Sequence, residues 1–372
     1  MKKNLFNIIL TAVFIFFLSL SFIGLFLGMT SKIDNTEWRR LAQFPVINDK
    51  MKIDEFPKKF EQFYNDNFGF RNILLILDAT IEFELFKKSP VAAVIRTANG
   101  WYFHNEARFM APAYKYYYHH ITLSNKLLSW IGDNFLDEKK YLDGRRIPYL
   151  FVVVPDKEIV YPEYFPYPNF INSNIQLSLI LNALKKREIP VLYLGSQIVD
   201  TKKNTDIPLY WKEDAHWNSF GAFIGYQAII SRLKDHFPNI DSLQLSDFNI
   251  SINSQITNAH DLNRLKSLIH GSDNSKEPIV NFTLKDGVLS RINKINKVLI
   301  YADSYFVGAP PEYIGGAMYF LKYHFDNIIL HNDPLWGLEK TKVEEEKPDL
   351  VIREIIQRNL YKYYAGAGAE VE

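Results

Sequence analysis

An acid, a histidine and a serine are the residues of this sequence whose types and spacing could support nucleophilic catalysis. Asp214 precedes His216 by two residues, so its carboxylate can hold one imidazole nitrogen while the other faces a reaction. Such a relay also needs an exposed serine, and the best candidate is Ser304, which follows an apolar segment. We therefore predict that these segments meet in space, with Ser304 as nucleophile, His216 as general base and Asp214 as orienting acid. The backbone N–H of Ser304 is one candidate oxyanion donor, and the sequence does not identify a second.

Each part of this pattern also has a purely structural explanation. Asp-x-His occurs in surface turns and helix caps, and Asp and Ser commonly end strands. Asp303 is expected to cap a helix rather than to take part in catalysis. His119 and His120 stand side by side, but adjacent helical residues point about 100° apart and seldom bind one ion. A structural role is expected for this pair, and no metal or cofactor is predicted.

The composition is that of a globular protein. The 372 residues are 47% hydrophobic and 23% charged, which argues against long disorder and allows one large or two modest domains. The formal net charge is +1, so no basic surface is expected and nucleic acid is not a predicted partner. Cysteine is absent, which excludes disulfides, thiolate catalysis and zinc–cysteine sites.

Short apolar segments alternate with helical segments in the second part of the chain. The predicted strands are 148–155, 190–195, 298–301, 327–331 and 349–352, and the predicted helices are 173–187, 219–233 and 311–325. This alternation is typical of an α/β fold with a doubly wound parallel sheet. Ligands bind beyond the carboxyl ends of such strands, and His216 and Ser304 both fall in loops expected there.

The chain is expected to consist of four parts. These are an anchor at 1–30, an N-terminal collar at 31–115 packed on the main domain, a catalytic domain at 116–362 and a flexible tail at 363–372. Residues 237–296 are polar and rich in Asn, Ser and Asp, so they are interpreted as an insertion of loops and short strands within the catalytic domain.

The apolar segment near the N-terminus predicts a transmembrane helix. No charged residue occurs from Ile8 to Met29, and about 20 apolar residues suffice to cross a bilayer core. A secretory signal would have a shorter apolar core and a small-x-small cleavage site, so an uncleaved anchor is expected. The flanking basic residues do not decide its orientation. Because a short N-terminal tail commonly stays inside, the large remainder is expected to face the periplasm or cell exterior.

Several blocks of the sequence form a pattern that one bacterial family shares. Residues 214–218 read Asp-Ala-His-Trp-Asn, and residues 302–305 read Ala-Asp-Ser-Tyr. Further blocks lie at 38–45, 64–71, 99–103, 154–158 and 161–163. Together they resemble the alginate O-acetyltransferase (AlgX/AlgJ-like) family, whose members carry an SGNH-hydrolase-like domain. The order, with Asp-x-His before Ser, is that family's and differs from ordinary SGNH esterases.

The resemblance implies an acetyl-serine mechanism that modifies a cell-envelope or exported polysaccharide. It also implies a partner, an integral membrane acyltransferase that supplies acetyl groups across the membrane. No separate carbohydrate-binding module follows the catalytic region, so the shorter, membrane-anchored type is the closer match. Within the family's blocks, Trp217, Lys157 and Tyr305 are candidates for contact with the substrate.

Two other functions are compatible with the same residues. If water replaces the sugar hydroxyl, the chain is an acetylesterase with the same catalytic residues. A non-catalytic, membrane-tethered binding or assembly protein is the third possibility. Its main support is Ala302, which stands where the family usually has glycine, whereas the presence of both His216 and Ser304 favours an enzyme.

Overall fold

A computed structural model describes residues 2–26, 33–34, 39–47, 53–86, 94–97, 99–104, 123–166, 173–255, 277–308, 316–331 and 337–360. The chain forms two compact units, one of residues 1–92 with 263–273 and one of residues 93–262 with 274–372. The His119–His120 pair and the predicted tail at 363–372 lie outside the described residues.

The described part of the smaller unit has three helices and one short strand pair. These are α1 (Lys2–Phe26), β1 (Ile33–Asp34), β2 (Arg39–Arg40), α2 (Phe56–Asp66) and α3 (Arg71–Phe86), with β1 and β2 antiparallel. None of the helices in the described residues has the combination of length and hydropathy that crossing a membrane requires. The transmembrane anchor predicted over Ile8–Met29 is therefore not supported by the structure.

Two of the sequence blocks in this unit contact each other where α2 ends. The Asp66 carboxylate accepts the Ala42 N–H at 2.7 Å, and the Asn67 side chain donates to the Ala42 carbonyl at 2.9 Å. Helix α2 ends at Asp66, and Phe70 beyond it has a left-handed backbone with φ 60°.

The larger unit holds the sheet and its helices. In chain order its elements are β3 (Val94–Arg96), β4 (Tyr102–His104), α4 (Asn125–Asp143), β5 (Tyr149–Val154), α5 (Lys157–Val160), α6 (Ser173–Lys185), β6 (Val191–Tyr193), α7 (Gly195–Lys202), α8 (Ser219–Leu233), β7 (Phe248–Gln255), β8 (Glu277–Leu284), β9 (Ile295–Tyr301), α9 (Ser304–Val307), α10 (Met318–Leu321), β10 (Phe325–His331), α11 (Lys340–Glu346) and β11 (Leu350–Ile356).

Five parallel strands form the central sheet, in the order β10-β9-β11-β5-β6. All five correspond to the apolar segments predicted as strands, so the parallel α/β class is confirmed. The strands in the middle of the sheet are mostly apolar on both faces, because helices cover both faces. On β5, for example, Val152 belongs to the core cluster on one face and Phe151 and Val153 to the cluster on the other.

Each face of the sheet has its own set of helices. Helix α8 packs on one face with Phe223, Tyr226 and Ile230, all fully buried. Helices α4 and α6 pack on the opposite face, where Phe135 and Leu184 are among the buried residues. Apolar side chains on one side of each helix meet apolar strands, which is what drives the layers together.

Strands β3 and β4 lie within 31–115, the range predicted as the collar, and belong to the larger unit, where Trp101 and Phe103 join its core. Of the helix expected at 311–325, residues 311–315 lie outside the described residues. The remainder contains α10 and a 3₁₀ turn at Lys322–His324, and it ends where buried Phe325 begins β10. The insertion at 237–296 contains the antiparallel pair β7–β8, in keeping with the short strands expected there.

Candidate active site

A continuous chain of hydrogen bonds joins Asp214, His216 and Ser304. Asp214 Oδ1 lies 2.6 Å from His216 Nδ1, and His216 Nε2 lies 2.7 Å from Ser304 Oγ. The Asp214 side chain is 7% exposed and the His216 side chain 23%, whereas Ser304 is an exposed residue. The hydroxyl and the imidazole thus face solvent, where a substrate can reach them, and the carboxylate lies behind them.

His216 is carried by a segment that we call the Asp–His loop (residues 212–216). An antiparallel bridge between Tyr210 and Trp217 closes the loop. Asp214 Oδ1 also accepts the backbone N–H of His216 at 2.7 Å. This local bond from an Asp side chain to the backbone two residues later is the reason why the spacing of two matters.

Helix α8 begins directly after the loop and fixes its end. The Asn218 side chain caps the helix by accepting the N–H groups of Phe220 and Gly221, and it donates to the Pro208 carbonyl. Gly221 is needed for close packing, because a Cβ there would lie 2.2 Å from the Leu209 carbonyl oxygen. The cap therefore connects the helix to the segment that enters the loop.

Two buried charged side chains hold the backbone of the Asp–His loop. Lys157 Nζ donates to three carbonyl oxygens, those of Tyr102 (2.7 Å), Lys212 (2.8 Å) and Asp214 (3.0 Å). Glu277 accepts two successive N–H groups of the loop, and the first, that of Lys212, lies at 2.6 Å. Lys157 is 1% and Glu277 5% exposed. Each buried charge thus has the hydrogen bonds that make its burial affordable.

Ser304 lies beyond the carboxyl end of β9, in a segment that we call the serine turn (residues 302–307). The Ala302 N–H donates to β10 at 3.0 Å, so the pairing of the sheet continues almost to the serine. Asp303 caps α9 by accepting the Tyr305 N–H at 3.0 Å, as the sequence predicts. Ala302 is not among the residues with positive φ, so alanine fits here without backbone strain.

Tyr305 joins the serine turn to the Asp–His loop. Its hydroxyl donates to the Ala215 carbonyl at 2.6 Å, and its own carbonyl accepts the Trp217 indole N–H at 2.9 Å. Arg358 donates both to the Tyr305 hydroxyl at 3.2 Å and to the buried Asp156 carboxylate at 2.9 Å. These contacts hold the two segments at the distance that the Ser304–His216 hydrogen bond requires.

The side chains expected to contact substrate are buried. Trp217 is 0% exposed, and Lys157 and Tyr305 are each 1% exposed. The polar side-chain atoms of all three form hydrogen bonds within the protein. The structure therefore corrects this expectation, because these residues shape the site from below and offer a substrate no accessible surface.

Sequence reasoning missed three residues around the site, Glu277, Arg358 and Trp211. Glu277 comes from the insertion and Arg358 from beyond the last strand, and neither has a local sequence signal. Trp211 is partly exposed, and its backbone N–H donates to the His216 carbonyl at 3.1 Å. This backbone bond places Trp211 next to His216 at the entrance of the Asp–His loop. A Trp five residues before the histidine was the available signal.

The arrangement contains the parts of nucleophilic acyl chemistry. His216 is placed to take the Ser304 proton, and Asp214 is placed to orient the ring. The Ser304 N–H has no acceptor in the described part of the chain and stands first in α9, where helix N–H groups are unpaired. It is therefore available to a developing oxyanion.

A family model described as "ALGX: SGNH hydrolase-like domain, acetyltransferase AlgX" matches residues 133–285. This range is less than half of the chain, and it includes Asp214 and His216 but ends before Ser304. The match confirms the similarity to AlgX/AlgJ-like proteins that the sequence blocks predict. No curated protein sequence matches the chain.

Three solved structures resemble the chain at low sequence identity. Bacillus cereus PatB1 has a TM-score of 0.52 and 14% identity, with 72% of this chain and 96% of that chain covered. The O-acetyltransferase domain of Pseudomonas putida AlgJ has a TM-score of 0.48 and 17% identity, with 72% and 92% covered. Pseudomonas aeruginosa AlgX has a TM-score of 0.47 and 14% identity, with 73% of this chain and 65% of that chain covered. With the family match, the likeness to PatB1 supports the predicted SGNH-hydrolase-like α/β fold.

Proposed function

We propose that this AlgX/AlgJ-like protein is an extracytoplasmic O-acetyltransferase that modifies a polysaccharide through an acetyl-serine intermediate on Ser304. The observation that carries the proposal is the hydrogen-bond chain from exposed Ser304 through His216 to buried Asp214. The match to the acetyltransferase family model supports the reaction type.

The proposed reaction has two halves. In the first, Ser304 Oγ gives its proton to His216 Nε2 and attacks the acetyl carbonyl carbon of the donor. The Ser304 N–H donates to the oxyanion, and the donor's leaving oxygen departs with the proton from His216. In the second half, His216 takes the proton of a sugar hydroxyl, whose oxygen attacks the acetyl-serine carbonyl. Ser304 then leaves and recovers its proton from His216, while Asp214 stabilises the transient imidazolium.

A carbohydrate acceptor is supported by Trp211. Trp211 is partly exposed, and its backbone N–H donates to the carbonyl of His216, so the two residues are neighbours at the entrance of the Asp–His loop. Large aromatic rings offer a rigid apolar face, and the apolar faces of sugar rings stack on such surfaces. We therefore propose that Trp211 holds the sugar unit whose hydroxyl His216 deprotonates.

The assignment is tested by the release of a chromogenic acetyl ester by the purified full-length chain. Ser304→Ala and His216→Ala should each lower kcat by at least about 1,000-fold, because either change removes the relay. Ser290→Ala is the matched control, since Ser290 is also exposed but donates to the Gly287 carbonyl. Undiminished release by Ser304→Ala would remove the catalytic assignment.

Product analysis separates transfer from hydrolysis. With acetyl ester and an oligosaccharide acceptor together, a transferase yields acetylated sugar, whereas an acetylesterase yields free acetate only. Wild-type chain that fails to react with a serine-directed fluorophosphonate would instead favour the non-catalytic binding protein.

The sequence resemblance also leads us to propose an integral membrane acyltransferase as acetyl donor. Copurification of such an enzyme with the tagged chain, lost when the donor gene is deleted, is the expected result. Attachment to the membrane through residues 8–29 remains a prediction from the sequence. Release of the chain from membranes by alkaline carbonate would contradict it.

A further inference from the structure

Two carboxyl groups meet behind the serine turn. Glu354 lies on β11, the central strand of the sheet, and is 0% exposed. Its Oε2 accepts the backbone N–H of Asp303 at 3.0 Å. Because Asp303 directly precedes Ser304, this bond connects the middle of the sheet to the turn that carries the serine.

The two carboxyl groups have different sets of donors. Asp303 Oδ1 accepts the Tyr305 N–H at 3.0 Å, and Asp303 Oδ2 accepts the Ile356 N–H at 2.9 Å. Glu354 Oε1 has no N–H or O–H donor within reach in the described residues, and the Glu354 side chain contacts the Asp303 carboxyl group. Both oxygens of Asp303 thus meet an N–H group, whereas one oxygen of Glu354 meets none.

No cation reaches Glu354 from its own strand. Its neighbour Arg353 serves the other face of β11, where it forms an ion pair with Glu138 of α4. The titratable group that interacts with Glu354 is Asp303, which is itself an acid. Burial, and after it the neighbouring Asp303 charge, hold the pKa of Glu354 well above its usual range. An ionised Glu354 would be a buried anion beside a second anion, which is unfavourable.

We propose that Glu354 is a neutral carboxylic acid that positions the serine turn, accepting the Asp303 N–H with one oxygen and donating its proton to the Asp303 carboxylate with the other. Asp303 in turn restrains the residues around it, since its carboxylate caps α9 at Tyr305 and also accepts the N–H of Ile356. Ser304 lies between the two restrained residues, in front of His216. Glu354 is thus a positioning residue, and its role in catalysis rests on the function proposed above.

Two substitutions in the full-length chain separate the hydrogen bonds from the charge. In Glu354→Gln, the amide oxygen can accept the Asp303 N–H and the amide N–H₂ can donate to the Asp303 carboxylate. We expect ester release within about 3-fold of wild type and an unchanged KM. In Glu354→Met, which keeps the volume, the Asp303 N–H loses its acceptor, and kcat should fall about 10- to 100-fold with little change in KM. Glu354→Gln that is as impaired as Glu354→Met would overturn the proposal.

Infrared difference spectroscopy detects the proposed proton on Glu354 independently of enzyme activity. The difference between wild type and Glu354→Gln at pH 7 should contain the C=O stretch of a protonated carboxylic acid, which shifts in deuterated water. Absence of this band overturns the proposal even if the Met variant does not fold. If Ser304→Ala fails to lower ester release, the proposed function falls, and the band still decides the state of Glu354.

Discussion

The two segments that form the site are held in contrasting ways. Buried ions hold the Asp–His loop, with Lys157 on its carbonyl groups and Glu277 on its N–H groups. The serine turn is held by backbone pairing and by the carboxyl pair of Asp303 and Glu354, with no cation bonded to either acid in the described residues.

The contrast follows from where each segment stands in the fold. The serine turn continues β9, so the sheet supplies partners for its backbone as far as Ala302. The Asp–His loop continues no strand of the central sheet, and the bridge between Tyr210 and Trp217 flanks it. Backbone N–H groups reach the carbonyls of Lys212 and His216, but the N–H groups of Lys212, Glu213 and His216 are paired with side-chain carboxylates. Leaving such groups unpaired would be costly. A loop without a sheet therefore depends more on single side chains.

Replacing Lys157 should have the largest effect, because the Asp–His loop depends on this side chain. Lys157→Met removes the donor of three carbonyl oxygens, those of Tyr102, Lys212 and Asp214, in a buried environment. We expect a loss of about 3–5 kcal/mol of unfolding free energy in urea titrations, and a fall in kcat of at least about 100-fold. Lys203→Met is the control, since the Lys203 side chain is 66% exposed. A loss below about 1 kcal/mol would show that the loop does not depend on the buried cation.

Buried His324 is a further case of a buried group that is neutral, in contrast to Lys157, because no charged partner stabilises its protonated form. It is 0% exposed, its Nε2 lies 2.6 Å from the Tyr226 hydroxyl, and its Nδ1 has no partner in the described residues. Burial lowers its pKa from 6.5 to about 4. Between these values the unfolded chain binds a proton that the folded chain does not, so stability falls as the pH drops through this window.

His324→Gln should therefore lose less stability than wild type on acidification. The expected difference between pH 7 and pH 4 is about 3 kcal/mol, measured by denaturant unfolding at both values. Parallel stability–pH curves for the two proteins would contradict the assignment. Because the site residues are unchanged, ester release per folded molecule at pH 7 should stay at the wild-type level.

Glu277→Gln, compared with Glu354→Gln, tests whether the carboxyl group that holds the Asp–His loop is needed as an anion while the one behind the serine turn is not. Glutamine keeps one acceptor oxygen for the loop, so one of the two N–H groups held by Glu277 loses its partner. We expect a loss of about 1–2 kcal/mol in stability and about 10-fold in kcat. Glu354→Gln is the matched variant and should be nearly neutral. Equal effects of the two glutamines would mean that both halves of the site are held in the same way.

The smallest effect is expected at Trp211. Trp211→Ala removes a partly exposed ring that is not a member of the Asp214–His216–Ser304 relay, so release of a small chromogenic ester should be unchanged. The KM for an oligosaccharide acceptor should rise about 5- to 10-fold, equivalent to roughly 1 kcal/mol of stacking. Trp130→Ala is the control, because that ring is 39% exposed on α4. A KM that does not change would remove Trp211 from the acceptor site.

The parts of the fold that depend on local patterns could be predicted from the sequence. Continuous apolar segments predicted all five strands of the sheet, and the helix predicted at 219–233 is α8 with its observed bounds. The pairing of Asp214 with His216 is equally local. Their contact with Ser304, 88 residues away in the chain, was predicted because parallel strands place their carboxyl ends at one edge.

The rest depended on contacts that have no local signal. Glu277 reaches a loop 65 residues earlier in the chain, and nothing in a polar stretch indicates which acid will turn inward. Sequence blocks showed that Lys157 and Trp217 belong to the site but not which way they point. A lysine that binds three backbone carbonyls and one that binds a ligand look alike in sequence, so direct contact with substrate was predicted where burial is observed.

Strand β11 occupies the middle of the sheet although it is the last strand in the chain. It alone connects β9, which leads to the serine, with β5, which leads to the lysine beneath the histidine. Residues 350–356 therefore complete the ladder between the strand that precedes the serine and the strand that precedes the lysine. A chain shortened before residue 350 would lack the strand that joins these two parts of the sheet.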